Sequence, residues 1–278
     1  MKETNMRYIK AEQIKKIVAG LCYEANVILR PDILGQLKLA FKKEHSSRAK
    51  KILKAIIDNA KTALHEKLAI CQDTGMPVVF VQLGQDVHVS GGNLTKAIND
   101  GVGIGYKRNY LRNSIIKDPI TRGKPGFSPA VIHYEIVPGQ KIKITLLPKG
   151  FGCENKAQVK MFKPTTNIKV IKEFVVDAVK QAGPDACPPF VVGIGIGGTQ
   201  DYACLLAKKA LLRKIDKQSM FEKELLKEIN KLGIGPMGLG GKVTCLGVNI
   251  ETYPTHIAGL PVAVNISCHA MRSASAVL

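Results

Sequence analysis

Cys71-Gln72-Asp73-Thr74-Gly75-Met76-Pro77-Val78-Val79-Phe80-Val81 is the junction on which the reading of this chain turns. What precedes it has helical periodicity. Val78 to Val81 is a short apolar run bounded by glycine and proline, which reads as a buried strand. A thiol, an amide, a carboxylate and a hydroxyl stand side by side where helix gives way to strand, and such junction loops place functional groups on a rigid scaffold. The plainer alternative is an Asp-Thr-Gly turn beside a core cysteine. Either way the chain is α/β, with a helical N-terminal segment followed by a mixed sheet flanked by helices.

Upstream, Ile14, Ile17, Val18, Leu21, Cys22 and Ala25 line one helical face. Arg30-Pro31-Asp32 breaks that helix, and Ile33, Leu37 and Phe41 begin another. Ser46 and Ser47 are candidate caps for a third, with a stripe of Ala49, Ile52, Leu53, Ile56, Ile57, Ala60 and Leu64. Downstream, Gly91-Gly92-Asn93 turns into a helix from Thr95, and a basic segment at 106–122 follows. Residues 131–147 read as a hairpin: Ile132, Tyr134 and Ile136 alternate, Pro138-Gly139 turns, and Ile142, Ile144 and Leu146 alternate back. The hairpin empties into the glycine-spaced loop KGFGCENK at 149–156. Helices are expected at 167–182, from Thr199 and at 217–231, and strands at 190–192, 243–250 and 262–266. The expectation is one domain over 1–278, its helical part about 1–70 packed on the α/β part.

Composition narrows the function classes. The chain has 278 residues, 45% of them hydrophobic, enough for a full core. No apolar run reaches the length of a membrane span and the N-terminus lacks a signal-peptide h-region, so a cytoplasmic, non-membrane protein is expected. Lys and Arg number 41 against 22 Asp and Glu, a net charge of +19. Nucleic-acid binding, steering of a small dianion and a lysine-rich surface compete to explain it. Aromatics are only 5%, tryptophan is absent and the lysines are spread out, which argues against a nucleic-acid platform and leaves a solvated surface with some steering.

Gly193-x-Gly195-x-x-Gly198 between a strand and a helix satisfies the dinucleotide fingerprint locally, so an NAD-binding oxidoreductase is a rival reading. The acid about 20 residues on, Asp216, falls in a charged loop instead of at a strand end. Seven dispersed cysteines without a CxxC pair favour reduced thiols over a disulfide framework. Cys22 and Cys204 lie in apolar helical contexts and read as core. Cys71, Cys187 and Cys268 each stand at the edge of a strand among polar neighbours. Three thiolates from separated loops suit a cluster that leaves one iron open to substrate.

Six ordered blocks carry a resemblance: CQDTG at 71–75, LRNSIIKDP at 111–119, KGFGCENK at 149–156, ACPPFVVGIGIGG at 186–198, GIGPMGLGGKVT ending at Thr244, and PTHIAGLPVAVNISCHAMR at 254–272. Together they resemble the class I, iron–sulfur-dependent fumarate hydratase family, in particular its separate α subunit, which is shared with L(+)-tartrate dehydratase. The resemblance implies a [4Fe-4S] cluster held by Cys71, Cys187 and Cys268, with Gln72, Asp73, Arg112, Gly152 and His256 around a small dicarboxylate. Asp73 and His256 are then candidates for proton handling, and Arg112 for gripping the dianion. Phe151 and Cys153 depart from the family's GGGSEN-like loop, and Cys153 is not, by the resemblance, a ligand. The reaction expected first is hydration of fumarate to malate, with L(+)-tartrate dehydration as the alternative. Single-chain members carry a further C-terminal domain at the same site. The resemblance therefore implies a separate β subunit completing the site, in an α2β2 heterotetramer.

Overall fold

The computed structural model describes residues 6–278. In chain order the first elements are β1 (Arg7–Lys10), α1 (Ala11–Val27), α2 (Pro31–Lys43), α3 (Ser47–Glu66), β2 (Met76–Gly84), β3 (Val87–Ser90) and α4 (Leu94–Arg108). There follow β4 (Val131–Val137), β5 (Ile142–Lys149), α5 (Phe151–Glu154), β6 (Gln158–Phe162), α6 (Ile168–Ala182), β7 (Phe190–Gly198) and α7 (Gln200–Ala210). The chain ends with α8 (Met220–Asn230), β8 (Cys245–Thr255), β9 (Leu260–Ser267) and β10 (Ala274–Val277). The strands form two mixed four-stranded sheets and a two-stranded ribbon, in an α/β architecture whose short first strand is followed by three helices. Among the described residues no helix is long and apolar enough to cross a membrane.

Two compact units divide the chain. The first holds the described residues up to Ile28, Ala63–Gly150 and Arg272–Leu278; the second holds Leu29–Thr62 and Phe151–Met271.

The first unit is built on β2. Its run Val78 to Val81 is buried on both faces, so the strand needs a partner along each edge. β5 pairs with one edge antiparallel and β4 with the other parallel, giving the order β10-β5-β2-β4. This corrects the hairpin expected at 131–147. Both strands are present, but β2 lies between them. The Pro138-Gly139 turn spans the end of β2, where Gly84, Gln85 and Asp86 donate to Lys141, Val137 and Gly139 carbonyls. Local alternation fixes a strand's faces but not its neighbour, and the apolar strand with two bare edges wins that place. Ile14, Val18, Leu21 and Cys22 of α1 and Ile98, Val102 and Tyr106 of α4 share a core with Val79, Val81, Ile144 and Leu146. β1, which the sequence reading did not contain, pairs parallel with β3.

The second unit is a sheet of order β6-β9-β7-β8, with β7 parallel to β8 and antiparallel to β9. The glycine pattern at 193–198 lies inside β7. A Cβ added at Gly193 would stand 2.1 Å from the Ala207 carbonyl oxygen of α7, and one at Gly195 would stand 2.0 Å from that of Ala203. The glycines let α7 lie directly on the sheet. They do not form a phosphate-binding turn ahead of a helix, which removes the support for the dinucleotide reading. Two helical expectations also change. Leu64 is exposed near the end of α3, and Cys204 is exposed on α7, whose buried face is Ala203, Leu206, Ala207 and Ala210. Position 204 follows a core residue by one, a rotation of about 100° away from the sheet.

The Arg30-Pro31-Asp32 break is an anchor as well as a helix start. Arg30 makes a two-pronged pair with Asp32, at 3.0 and 2.6 Å, and donates to the Leu211 and Arg213 carbonyls. Asp32 also accepts the Ile215 N–H at 3.1 Å. Burial pushes the Asp32 carboxyl up, but Arg30 and these hydrogen bonds outweigh it and hold it below its ordinary 3.8. A depressed carboxylate contributes stability above its unfolded value and loses it as pH falls through the folded one. Asp32→Asn should therefore cost roughly 3 kcal/mol in urea melts at pH 7. The gap to the parent should narrow as pH drops below 3.8; a gap independent of pH would contradict the pairing.

Candidate functional site

In the first unit the chain leaves α3, bends through Cys71 to Gly75 and enters β2. Gly75 has φ +73°, and a Cβ there would meet the Lys149 nitrogen and the Pro148 carbonyl carbon at 2.7 Å, so the bend requires glycine. The Asp73 carboxylate accepts the Gly75 N–H at 3.0 Å, the local turn bond that aspartate characteristically makes. Tyr106 of α4 reaches the same bend and donates its hydroxyl to the Thr74 carbonyl at 2.8 Å, with the Gly75 carbonyl at 3.3 Å. Burial pushes the Tyr106 hydroxyl far above its ordinary value, so it remains a neutral donor. Arg272 donates to the Asp73 carbonyl from the other end of the sequence.

The structure brings Arg112 to this bend. Its backbone N–H donates to the Thr74 hydroxyl at 3.0 Å, while its side chain is exposed. Cys71 and Asp73 are half-buried and Gln72 is exposed, its side-chain oxygen accepting from the Cys71 thiol at 3.3 Å. Gly150, which follows β5, closes on the bend: a Cβ there would stand 3.2 Å from the Asp73 Oδ2. Four sequence-predicted residues, Cys71, Gln72, Asp73 and Arg112, thus belong to one local arrangement within the first unit.

The second unit carries the others. β7 begins where β9 ends, with Val191 opposite Ser267, so Cys187 and Cys268 flank the same end of that strand pair. His269 joins them: its N–H donates to the Cys187 carbonyl at 3.3 Å and its Nδ1 lies 3.1 Å from the same oxygen. Cys187 closes a 3-10 turn over Pro184–Ala186 and holds φ +54°, an unusual backbone state for a residue with a side chain. Such outliers concentrate at functional positions.

Gly152 is exposed in α5, where a Cβ would come 3.6 Å from the Asp185 carbonyl. Cys153 beside it is buried, and its thiol donates to the Ala186 carbonyl at 3.2 Å. This cysteine braces the turn that presents Cys187. His256 is exposed in the β8–β9 connection and its Nδ1 accepts the Ala258 N–H at 3.2 Å. That bond places a neutral ring's proton on Nε2, which is then a hydrogen-bond donor, and the lone pair on Nδ1.

The donor chemistry of the thiols fits an iron–sulfur group. Cys71, Cys187 and Cys268 are half-buried in bends or at strand ends. Burial pushes Cys22 and Cys245 up to about 12, unsuited to supplying thiolates. Cys204, on the exposed face of α7, is raised as well, again by burial of its sulfur. Among the described residues no group of three or more His, Cys, Asp or Glu side chains is gathered as a metal site. The sequence reading missed Arg272 and Tyr106; it noted the Thr74 hydroxyl in the junction without giving it a role. Arg272 ends the CHAMR block and could have been marked as a charged residue following apolar Ala270 and Met271. Nothing in the sequence links Tyr106 to the bend.

Comparison with known proteins adds the following. The profile of the family described as "Fumarate hydratase (Fumerase)" matches residues 15–277. A protein of Methanocaldococcus jannaschii, provisionally named L(+)-tartrate dehydratase subunit alpha, is 43% identical over 275 residues, covering 94% of this chain and 96% of the relative. The L(+)-tartrate dehydratase subunit alpha of Escherichia coli O157:H7 is 30% identical over 282 residues, and that of Escherichia coli strain K12 is 29% identical. In both cases 98% of this chain and 92% of the relative are covered.

Thiol labelling checks the sorting of cysteines. With iodoacetamide at pH 8 the metal-free chain should be labelled at Cys71, Cys187, Cys204 and Cys268, read by peptide mass spectrometry. Cys22 and Cys245 should stay unmodified until the chain unfolds, because few thiolates exist four pH units below 12. Early labelling of Cys22 or Cys245 would overturn that sorting.

Proposed function

The chain belongs to the fumarate hydratase (Fumerase) family and is a hydro-lyase; from that premise we propose that it is the α subunit of a dicarboxylate hydro-lyase of the L(+)-tartrate dehydratase kind. Fumarate hydration, expected first from the sequence, becomes the second reading. It is favoured by the family's description, whereas the relatives at 43%, 30% and 29% identity are all named for tartrate. Loss of water from 2,3-dihydroxysuccinate gives an enol that tautomerises to oxaloacetate. Addition of water to fumarate gives malate. Both are dianions of four carbons, and a chain of net charge +19 would steer either one. The relatives' designation as α subunits supports a separate β subunit that completes the site, and a cytoplasmic α2β2 assembly remains part of the proposal. The whole chain acts in it as a single functional domain.

The observation that carries this reading is the sorting of thiols, with three half-buried in bends and at strand ends while Cys22 and Cys245 are sealed in cores. Cys71, Cys187 and Cys268 would hold a [4Fe-4S] cluster. When bound, that group supplies Lewis-acid assistance to the hydroxyl that leaves or adds. The chain's own residues do the rest. The exposed Arg112 guanidinium binds one substrate carboxylate through paired hydrogen bonds. Gln72 and the Gly152 backbone contact the remaining polar groups. Asp73, one oxygen already turned to the Gly75 N–H, presents a carboxylate of fixed orientation, and His256 presents its Nε2–H as a donor to the substrate.

Anaerobic treatment with iron and sulfide should give a brown protein with near four irons per chain, by metal analysis and absorbance. Cys71→Ser, Cys187→Ser and Cys268→Ser should each lose it, and Cys204→Ser should not. Full iron content in all three ligand variants would sink the assignment. Co-expressed with its β subunit, the enzyme should dehydrate L(+)-tartrate faster than it hydrates fumarate; the opposite ranking selects the second reading. Arg112→Ala should lower kcat/KM at least about tenfold, about 1.4 kcal/mol in transition-state binding.

A further inference from the structure

Arg272 poses a problem that the hydro-lyase reading does not by itself solve. Its side chain is buried, with 4% of the residue exposed, and a guanidinium stays charged at any working pH. One nitrogen, Nη2, is spent on the Asp73 carbonyl. The other two, Nε and Nη1, have no hydrogen-bond partner among the described residues. Donors buried without acceptors are costly, and more so when they carry charge. Bracing the bend does not require that charge. Tyr106 holds the neighbouring Thr74 and Gly75 carbonyls with a neutral hydroxyl. Ordinary core packing would not call for it either, since Ala270 and Met271 just before it and Ala274 two residues after it are buried apolar residues.

A permanent cation with two open donors, fixed to the backbone two residues after Cys71, suits an anionic occupant of that bend. We propose that Arg272 is a positioning residue with two tasks: it clamps the Cys71-to-Gly75 bend through the Asp73 carbonyl, and it supplies the buried positive charge for an anionic group held there. The second task rests on the cluster reading given above, in which that group is the thiolate-bound iron–sulfur centre. The clamp rests on geometry alone. Arg272 is assigned no contact with substrate.

The test uses the full chain, metal-free and then loaded, with Arg272→Gln and Arg272→Lys. In the metal-free chain, hydrogen exchange of the Gly75 amide should quicken at least about fivefold in Arg272→Gln, because the Asp73 turn that protects it loses its brace. Melting of Arg272→Lys should stay near that of the parent. After loading with iron and sulfide, Arg272→Gln should lose iron to EDTA at least about fivefold faster than the parent, whereas Arg272→Lys, which keeps the charge, should lie near it. In the assembled enzyme Arg272→Gln should lower kcat with KM nearly unchanged, and lysine should restore part of the loss. Unchanged exchange at Gly75 would overturn the clamp. Equal iron loss in both variants would overturn the charge, and so would a raised KM at constant kcat, which would place Arg272 on the substrate. Collapse of both variants on melting would reduce the residue to a structural one and overturn the proposal. A parent chain that takes up no cluster would instead refute the hydro-lyase reading and with it the counter-charge, leaving the exchange result to decide the clamp.

Discussion

Carbonyl groups in a tight buried bend must be given donors, and this demand governs the first unit. Between Cys71 and β2 the chain turns too sharply for either helix or sheet bonding to serve Asp73, Thr74 and Gly75. Their carbonyls are met from remote sequence by Arg272 and Tyr106. Thr74 in turn accepts the Arg112 N–H, so one bend fixes residues about 40 positions apart along the chain. With these three carbonyls answered, the bend is held by hydrogen bonds and excluded volume together, since Gly75 has no room for a side chain. A rigid bend is what a site needs if groups on Cys71, Gln72 and Asp73 are to keep a fixed geometry.

The second unit meets the same need by different means. There β7 runs through the middle of its sheet, and Gly193 and Gly195 admit α7 so closely that helix carbonyls occupy the space of absent side chains. The sheet end beyond this packed layer is irregular. Cys187 sits in a left-handed backbone state, Cys153 braces the turn before it, and His269 ties it to the neighbour of Cys268. Chemically equal cysteines are thereby made unequal. Cys22 and Cys245, inside the cores, are pushed up to about 12, and those in the bends keep access to solvent and to ligands.

Charge is distributed on a different principle. Many of the acids are engaged along helix faces, as in Lys54–Asp58, Lys96–Asp100 and Lys231–Glu228, exposed pairs that add little to stability. The large excess of Lys and Arg then acts through its summed field, which attracts anions without specifying which one. In the proposed function, specificity for a dicarboxylate would come from Arg112 and its neighbours.

Amphipathic periodicity was enough to mark α1, α2 and α3, because one face of each must be apolar. Alternation likewise identified β4 and β5, and the motif blocks picked out the bend and the loop cysteines. Those are local properties, written in a few consecutive residues. Which strand lies beside which was not local: β4 and β5 look like a hairpin, yet a more apolar strand from far upstream separates them. The glycine fingerprint was misleading for the same reason, since glycine serves a phosphate and a tightly packed helix equally well, and only the position of α7 distinguishes them. Cys204 seemed buried because Ala203 and Leu205 beside it are apolar, and one residue of helical rotation put it outside. Arg272 is the clearest case. Its sequence says only that a cation follows Cys268 by four residues, and only the fold could deliver it to a carbonyl 199 positions away and leave two of its donors without partners among the described residues.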